Sequence, residues 1–334
     1  MVSVEPLKYL LLSGEGIFRG DSKETALLIE KEKLFGLKSL MQFGSSGLLA
    51  YRNVPESVSP FLQILGIGVE ENAAEEESAF NERYGKLSIH VETNSQRFAE
   101  SSTKLLKYGS KAHSISVFSI QNSKEELVHH IVNRCNEFLQ LSEPDKPSKI
   151  NVLMIHLIPE ESSGHEVPSS KSLSPADILL TFNEVITYFM HNPSDSSPTY
   201  PLPPIDYGKP LPPSSELVNE LFIKQDALAA KPPPPPPHSL WISLVGSGWE
   251  VKPLSREEYL IKPSYHFSFD RDIYKQLSNK RLGFVHCCPG HTRIDEQTEF
   301  CEESFEHGSW KTIRAEQLLS EIAYRLHCTP KFGA

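Results

Sequence analysis

The sequence predicts an α/β fold in which a mixed, partly parallel sheet is flanked by helices. Between residues 86 and 158, short apolar segments of strand character alternate with longer segments that have helical periodicity. The segment KINVLMIHLI at 149–158 is apolar on both alternating faces, which is typical of a central strand covered from both sides. This order of strands and helices suits parallel strands joined by crossover helices.

Two half-buried strands are predicted ahead of that central segment. Residues 86–92 and 114–121 alternate apolar and polar side chains, the second less regularly than the first. Residues 95–108, which lie between them, have helical character. We therefore expect the strands within 86–158 to be adjacent members of one sheet.

An amphipathic helix is predicted over 123–140. Ser123 and Glu126 match the S-x-x-E capping box that begins many helices. Apolar residues then recur at spacings of three and four, which places them on one face. We expect that face to be buried against the sheet, including Leu127, Ile131 and Phe138.

A second helix is predicted at 174–190. Ser174 can cap its first turn, and Pro175 occupies the first helical position, where the missing amide hydrogen is tolerated. Residues 239–245 and 281–287 have strand patterns, and 312–328 has the apolar spacing of a helix.

The first 85 residues mix apolar runs with glycines, which predicts short strands, the first of them at KYLLLSG. The apolar run near the N-terminus is only a few residues long and follows Glu5, which does not fit a secretory signal. The segment 150–159 is about half as long as a membrane span of roughly 20 residues. No membrane span is therefore expected.

A proline-rich stretch divides the predicted elements. Residues 193–237 contain 14 of the 26 prolines, a density that no regular helix or sheet tolerates, because proline lacks the amide donor. We therefore expect an α/β domain at 1–192, a connector at 193–238 with one short helix, and a smaller C-terminal α+β region at 239–334.

The charge of the chain limits the classes of partner. Its formal net charge is −10 and its pI is near 5.7, so it lacks the basic field that binds phosphates by counterion release. Nucleic acid is not an expected partner. The odd number of cysteines, five, is typical of reduced thiols or metal ligands rather than of a disulfide framework. A cytoplasmic or nuclear protein is expected.

Cysteine and histidine are concentrated near the C-terminus, and these are the side chains that zinc prefers. The spacing is irregular, because HCCPGH at 286–291 supplies one ligand pair and any completing ligands lie far along the chain. We expect no bound cofactor, with a zinc ion as the alternative. The candidate metal ligands are Cys287, Cys288, His291 and Cys301.

The same segment offers a weak catalytic hypothesis. Cys288 follows a predicted strand and precedes a Pro-Gly turn, with His291 close in sequence, so it is a candidate nucleophile. His156, within the central strand, is a further candidate, although a hydrogen-bonded core histidine explains it as well. No phosphate-binding glycine loop and no G-x-S-x-G elbow occurs in the sequence.

Three classes of function stay open on these grounds. Proline-rich segments favour the polyproline II conformation, which partner proteins recognise, although a spacer has the same composition. An acidic chain with this stretch and without catalytic motifs favours a non-catalytic interaction or assembly subunit of an intracellular complex. The alternative is an α/β hydrolase or transferase with scattered site residues around the Cys/His cluster. A small-ligand sensor is the third class.

Overall fold

The chain is seen here in a computed structural model. It describes residues 8–18, 34–53, 58–68, 77–78, 80–81, 84, 87–107, 113–119, 124–139, 150–159, 173–191, 240–250, 277–287, 302–326 and 328–329.

Within the described residues, eight strands form one sheet, in the spatial order β4-β3-β5-β1-β6-β7-β2-β8. Every neighbouring pair is parallel except the two pairs that include β7. The predicted mixed, partly parallel sheet flanked by helices is thereby confirmed, and most of its strand pairs are parallel. The strands are β1 (Lys8–Gly14), β2 (Ser45–Arg52), β3 (Ile89–Thr93), β4 (Ser114–Val117), β5 (Val152–Leu157), β6 (Leu240–Glu250), β7 (Leu277–Cys287) and β8 (Lys311–Arg314).

Helices cover both faces of the sheet. Alternate residues of a strand point to opposite faces, and they enter two separate hydrophobic cores, each with its own helices. Helices α1, α3, α4 and α5 contribute to the first core, which contains Leu10 and Leu12 of β1. Helices α2 and α6 and both 3-10 helices contribute to the second, which contains Tyr9 and Leu11. The helices are α1 (Phe35–Phe43), α2 (Gln96–Ser102), α3 (Lys124–Leu139), α4 (Pro175–His191), α5 (Glu302–Glu306) and α6 (Ala315–Arg325), with 3-10 helices at Pro60–Leu65 and Thr103–Lys107.

Strand β1 lies in the middle of the sheet. It pairs in parallel with β5 on one side and with β6 on the other, and each of its residues is buried. A strand buried on both faces favours the continuous apolar run that its sequence, KYLLLSG, contains. Its last residues therefore reach the carboxyl edge of the sheet between two neighbouring strands.

Helix α3 confirms the prediction made for 123–140. Leu127 is 4% exposed and Ile131 is fully buried, while Phe138 is partly buried against the same core. Helix α4 confirms the prediction for 174–190, since the Asp177 amide donates to Ser174 Oγ at 3.1 Å. Both helices follow from local apolar periodicity, and Ser174 caps α4 as its sequence predicts, whereas Ser123, the predicted cap of α3, lies outside the described residues.

Three predicted elements differ from the structure. Helix α6 begins at Ala315, not at 312, because Lys311–Arg314 is extended and pairs in parallel with β2. The second half-buried strand ends at Val117 rather than at 121. The first 85 residues contain helix α1 as well as strands. In the first case the deciding partner, β2, is distant in sequence, so a local pattern could not indicate it.

The sheet includes strands from both sides of 193–238, a stretch that lies outside the described residues. Strand β6 pairs with β1 over Lys8–Gly14, so the two parts of the chain share a sheet. The domain boundaries stay a prediction. Among the described helices, none combines the length and the hydropathy that crossing a membrane requires.

Candidate functional site

The carboxyl edge of the central strands is where α/β folds place their ligands, because the connecting loops leave a crevice there. In this chain the ends of β3, β5 and β1 meet at that edge, and His156 of β5 is in register with Thr93 on one side and Ser13 on the other. Gly16 has a φ of 72°, which allows the chain to turn directly after Glu15. Polar side chains from segments far apart in sequence are thereby brought together.

Ser13, His156 and Glu15 form a line of polar contacts, called here the Ser13–His156–Glu15 cluster. Ser13 Oγ lies 2.9 Å from His156 Nδ1, and His156 Nε2 lies 3.7 Å from Glu15 Oε1. Ser59 Oγ donates to that same carboxylate oxygen at 2.9 Å. The cluster therefore links β1, β5 and the residue that precedes the Pro60–Leu65 helix.

Two phenylalanines enclose the imidazole. The ring centroid of Phe98 lies 3.9 Å from that of His156, and the centroid of Phe61 lies 4.8 Å from it. Ser13 and His156 are both fully buried, whereas the side chain of Glu15 is 31% exposed. Only the carboxylate end of the cluster reaches the surface.

Burial determines the protonation state of the imidazole. It lowers the pKa of His156, and the neighbouring Glu15 opposes that shift only in part. Burial by itself would raise the pKa of Glu15, but the nearby His156 imidazole, the hydrogen bond from Ser59 and the charge of Arg97 outweigh burial and lower the pKa. At neutral pH the histidine is neutral and the glutamate is ionised.

The chemistry open to this cluster is limited by the position of its serine. Ser13 has one hydroxyl hydrogen, and both His156 Nδ1 and the Ile155 carbonyl oxygen at 3.3 Å compete for it. The arrangement of serine, imidazole and carboxylate resembles the order of groups in a nucleophilic triad. However, the hydroxyl that would attack a substrate is fully buried inside the sheet.

Of the predicted site residues, the structure describes His156 and Cys287. His156 belongs to the cluster, where its Nδ1 contacts Ser13 Oγ and its buried Nε2 has no hydrogen-bond partner among the described residues. Cys287 is buried at the end of β7, with its thiol 3.7 Å from the Phe43 carbonyl oxygen. Cys288, His291 and Cys301 lie outside the described residues. In the described part of the chain, no three or more His, Cys, Asp or Glu side chains are grouped to hold a metal.

A second polar cluster, which was not predicted from the sequence, lies under α3. Glu92 Oε1 accepts from Arg134 Nε at 2.6 Å and lies 2.8 Å from His90 Nε2. His130 Nε2 lies 3.6 Å from the other carboxylate oxygen. Residues 90 and 92 share one face because they are two apart on a strand, so their spacing was the available signal. This is the Glu92 cluster.

The Glu92 carboxylate is strongly stabilised in its ionised form. Burial by itself would raise its pKa, but the nearby His130 imidazole, the hydrogen-bonding contacts with His90 and Arg134, and the charge of Arg134 lower the pKa to about 2. His90 also stacks on Phe138 of α3, with 3.6 Å between ring centroids. The cluster therefore anchors α3 to the sheet.

His286, one of the predicted C-terminal group of histidines, is buried on β7. Its Nδ1 lies 2.8 Å from Ser243 Oγ of β6, and its ring packs near Trp241 and Trp310. Burial, followed by the charge of Arg325, lowers the pKa of His286 to about 3. This histidine has the environment of a neutral core residue.

Fold and site together define an α/β protein whose mixed sheet has a polar, largely enclosed cluster at its carboxyl edge. Neither a protein-family description nor a curated protein matches the sequence.

Two solved structures are similar to the chain in overall arrangement. The PH0037 protein from Pyrococcus horikoshii is 11% identical, with a TM-score of 0.48, and the match covers 99% of this chain and 100% of that one. A protein in the alkaline phosphatase superfamily from Vibrio parahaemolyticus is 9% identical, with a TM-score of 0.38, and the match covers 88% of this chain and 62% of that one. At these TM-scores neither likeness supports a function.

Proposed function

We propose that this chain is a non-catalytic interaction or assembly subunit of an intracellular complex. The observation that supports this proposal is that Ser13 and His156 are fully buried at the carboxyl edge of the sheet, where Phe61 and Phe98 pack against the imidazole. In an α/β enzyme this edge presents reactive groups to a substrate.

A reactive serine needs a route to its substrate and a base that can take its proton. Burial lowers the pKa of His156, so its neutral imidazole could act as a base. The Ser13 hydroxyl, however, has no route to a substrate, because it is fully buried and also donates to the Ile155 carbonyl oxygen of β5. The cluster therefore suits a structural role, in which the Ser13 hydroxyl joins β1 to β5 through its contacts with His156 Nδ1 and the Ile155 carbonyl oxygen.

The partners in this proposal are other proteins. The net charge of −10 disfavours nucleic acid, and the proline-rich residues 193–238 offer a segment of the composition that aromatic-lined grooves bind. The complex belongs to the cytoplasm or the nucleus, and the chain acts without a cofactor.

A double variant, Ser13→Ala with His156→Phe, tests the proposal. It removes both polar partners at once, which is close to neutral for stability when shapes are kept. The tagged wild-type chain and the double variant are isolated from the native cell, and the stoichiometry of co-isolated proteins is measured. We expect the same partner at the same stoichiometry with both chains. A wild-type chain with no stoichiometric partner would overturn the proposal.

The line of contacts in the Ser13–His156–Glu15 cluster favours a second candidate, an α/β enzyme of the hydrolase or transferase class. In that case the double variant keeps its melting temperature but fails to restore the cellular function of a strain that lacks the wild-type chain. A matched variant, Ser247→Ala, alters a neighbouring hydroxyl that bonds to the Gly16 amide at 2.8 Å and leaves the cluster intact. We expect Ser247→Ala to restore the cellular function whether the chain is an interaction subunit or an enzyme.

A further inference from the structure

One outer edge of the sheet is formed by β4. Its inner side pairs in parallel with β3, and no other strand of the described residues pairs with its outer side. The Phe118 amide donates to the Thr93 carbonyl oxygen, so the even-numbered residues of this segment direct their backbone groups toward β3. By alternation, the amide and carbonyl groups of Ile115 and Val117 face outward, where a further strand would pair.

Apolar side chains adjoin this open edge. The described residues include three large apolar side chains that are exposed, and two of them lie here: Val117 is 44% exposed and Leu106 is 54% exposed. The Thr103–Lys107 helix contacts β4, and Leu105 and Ile115 enter the same core, so both exposed side chains lie on one side of the sheet edge. An added strand would cover both of them.

The charge of this edge is opposite in sign to that of the chain. The sequence TKLLK at 103–107 and the sequence SISV at 114–117 contain two lysines and no acidic residue, in a chain of net charge −10. Lys104 and Lys107 are both exposed. A basic and apolar edge is complementary to an acidic and apolar strand, and it repels a basic one.

We propose that the outer edge of β4 binds an extended, acidic and apolar segment of a partner protein by strand addition. This inference rests on the proposed interaction function and locates one of its contact surfaces. The backbone groups of Ile115 and Val117 supply hydrogen bonds, Val117 and Leu106 supply apolar contact, and Lys107 selects for acidic side chains. In this mode of recognition, backbone pairing gives affinity and alternate side chains give specificity.

The direct test uses a Val117→Pro variant of the full chain. Proline removes an outward amide hydrogen and leaves the β3 ladder intact, since edge positions with outward amides tolerate it. The probe is a labelled peptide of about nine residues, a typical strand length, in which glutamate and valine alternate. We expect the variant to weaken binding by about tenfold or more, measured by fluorescence polarisation. Equal binding to both chains would overturn the proposal.

A second variant, Lys107→Glu, tests the edge without changing the backbone. It should weaken binding of the acidic peptide and strengthen binding of a peptide in which lysine replaces glutamate, and added salt should reduce both effects. The matched control is Tyr324→Asp, because Tyr324 is an exposed large apolar side chain on α6, away from β4. It should change neither affinity. If the wild-type chain bound the two peptides with equal affinity, the proposal would be contradicted.

Two further outcomes separate this inference from the proposed function. If the stoichiometric partner of the wild-type chain also co-isolates with Val117→Pro, the interaction function stands and the β4 edge is not its surface. If light scattering detects a dimer that Val117→Pro abolishes, the edge binds a second copy of this chain, and the partner inference is overturned.

Discussion

At the residue scale, Glu92 links the pH of the solution to the stability of the fold. Its pKa is lowered from 4.5 to about 2 in the folded chain, so the folded state binds fewer protons than the unfolded state between those values. The stabilisation is complete above pH 4.5 and is lost as the pH falls to about 2. The shift corresponds to about 3 kcal/mol of unfolding free energy.

We predict that Glu92→Gln lowers the free energy of unfolding at neutral pH by about 3 kcal/mol, since it removes the only buried carboxylate that pairs with Arg134 among the described residues. The variant should also lose most of the stability change between pH 4.5 and 2. Urea unfolding at a series of pH values measures both effects. The control is Glu137→Gln, because Glu137 also pairs with Arg134 but is 61% exposed. Equal losses in the two variants would argue against a dominant buried pair.

Ser13 and His156 are coupled in a way that a double-mutant cycle can measure. We predict that Ser13→Ala alone costs about 1–3 kcal/mol, because it leaves His156 Nδ1 buried without a partner. Adding His156→Phe should recover most of that loss, since Phe98 and Phe61 already provide an apolar environment for the ring. The measurement is the free energy of unfolding in urea. A double variant less stable than Ser13→Ala would disprove this account of the pair.

At the element scale, α3 depends on an apolar face that its sequence spacing predicts. Ile131 is fully buried in the first core, whereas Asn133, two residues along the same helix, is exposed. We predict that Ile131→Asp destabilises the fold by about 3 kcal/mol or more, because it buries a carboxylate that has no partner. Asn133→Asp, the matched control, should change the melting temperature little. An unchanged melting temperature for Ile131→Asp would refute the helix register.

Helices α1 and α4 approach each other closely at Gly36. A Cβ atom at that position would lie 2.3 Å from the Asn183 carbonyl oxygen and 2.7 Å from the Thr187 amide nitrogen, both backbone atoms of α4. We predict that Gly36→Ala lowers the melting temperature despite the higher helix propensity of alanine. Gln42→Ala, at an exposed position of α1, should not lower it. A stabilised Gly36→Ala chain would contradict the close packing.

At the scale of the whole molecule, strand pairing joins the two parts of the chain on either side of 193–238. Strand β6 pairs with β1 over Lys8–Gly14, and its apolar residues Ile242 and Leu244 enter the first core. We predict that a chain cut at a protease site inserted near residue 215 yields two fragments that co-elute in gel filtration. They should separate in denaturant. Leu244→Asp should separate them without denaturant, and fragments that part spontaneously from the wild-type sequence would contradict the pairing.

The sequence by itself determined the class of fold and its amphipathic helices. Helices α3 and α4 were predicted within one or two residues, because their caps and apolar spacing are local features. Strand β8 was not, because its extended conformation depends on pairing with β2, which lies more than 250 residues earlier in the chain.

Only the tertiary structure decided the candidate site. His156 was visible in the sequence as a polar residue in an apolar strand, but nothing local indicated that Ser13 and Glu15 would be its partners. The contact between Ser13 and His156 joins residues 143 positions apart. It exists because parallel pairing of β1 with β5 places those two residues in register, and side-chain patterns within one strand do not specify which strand will lie beside it.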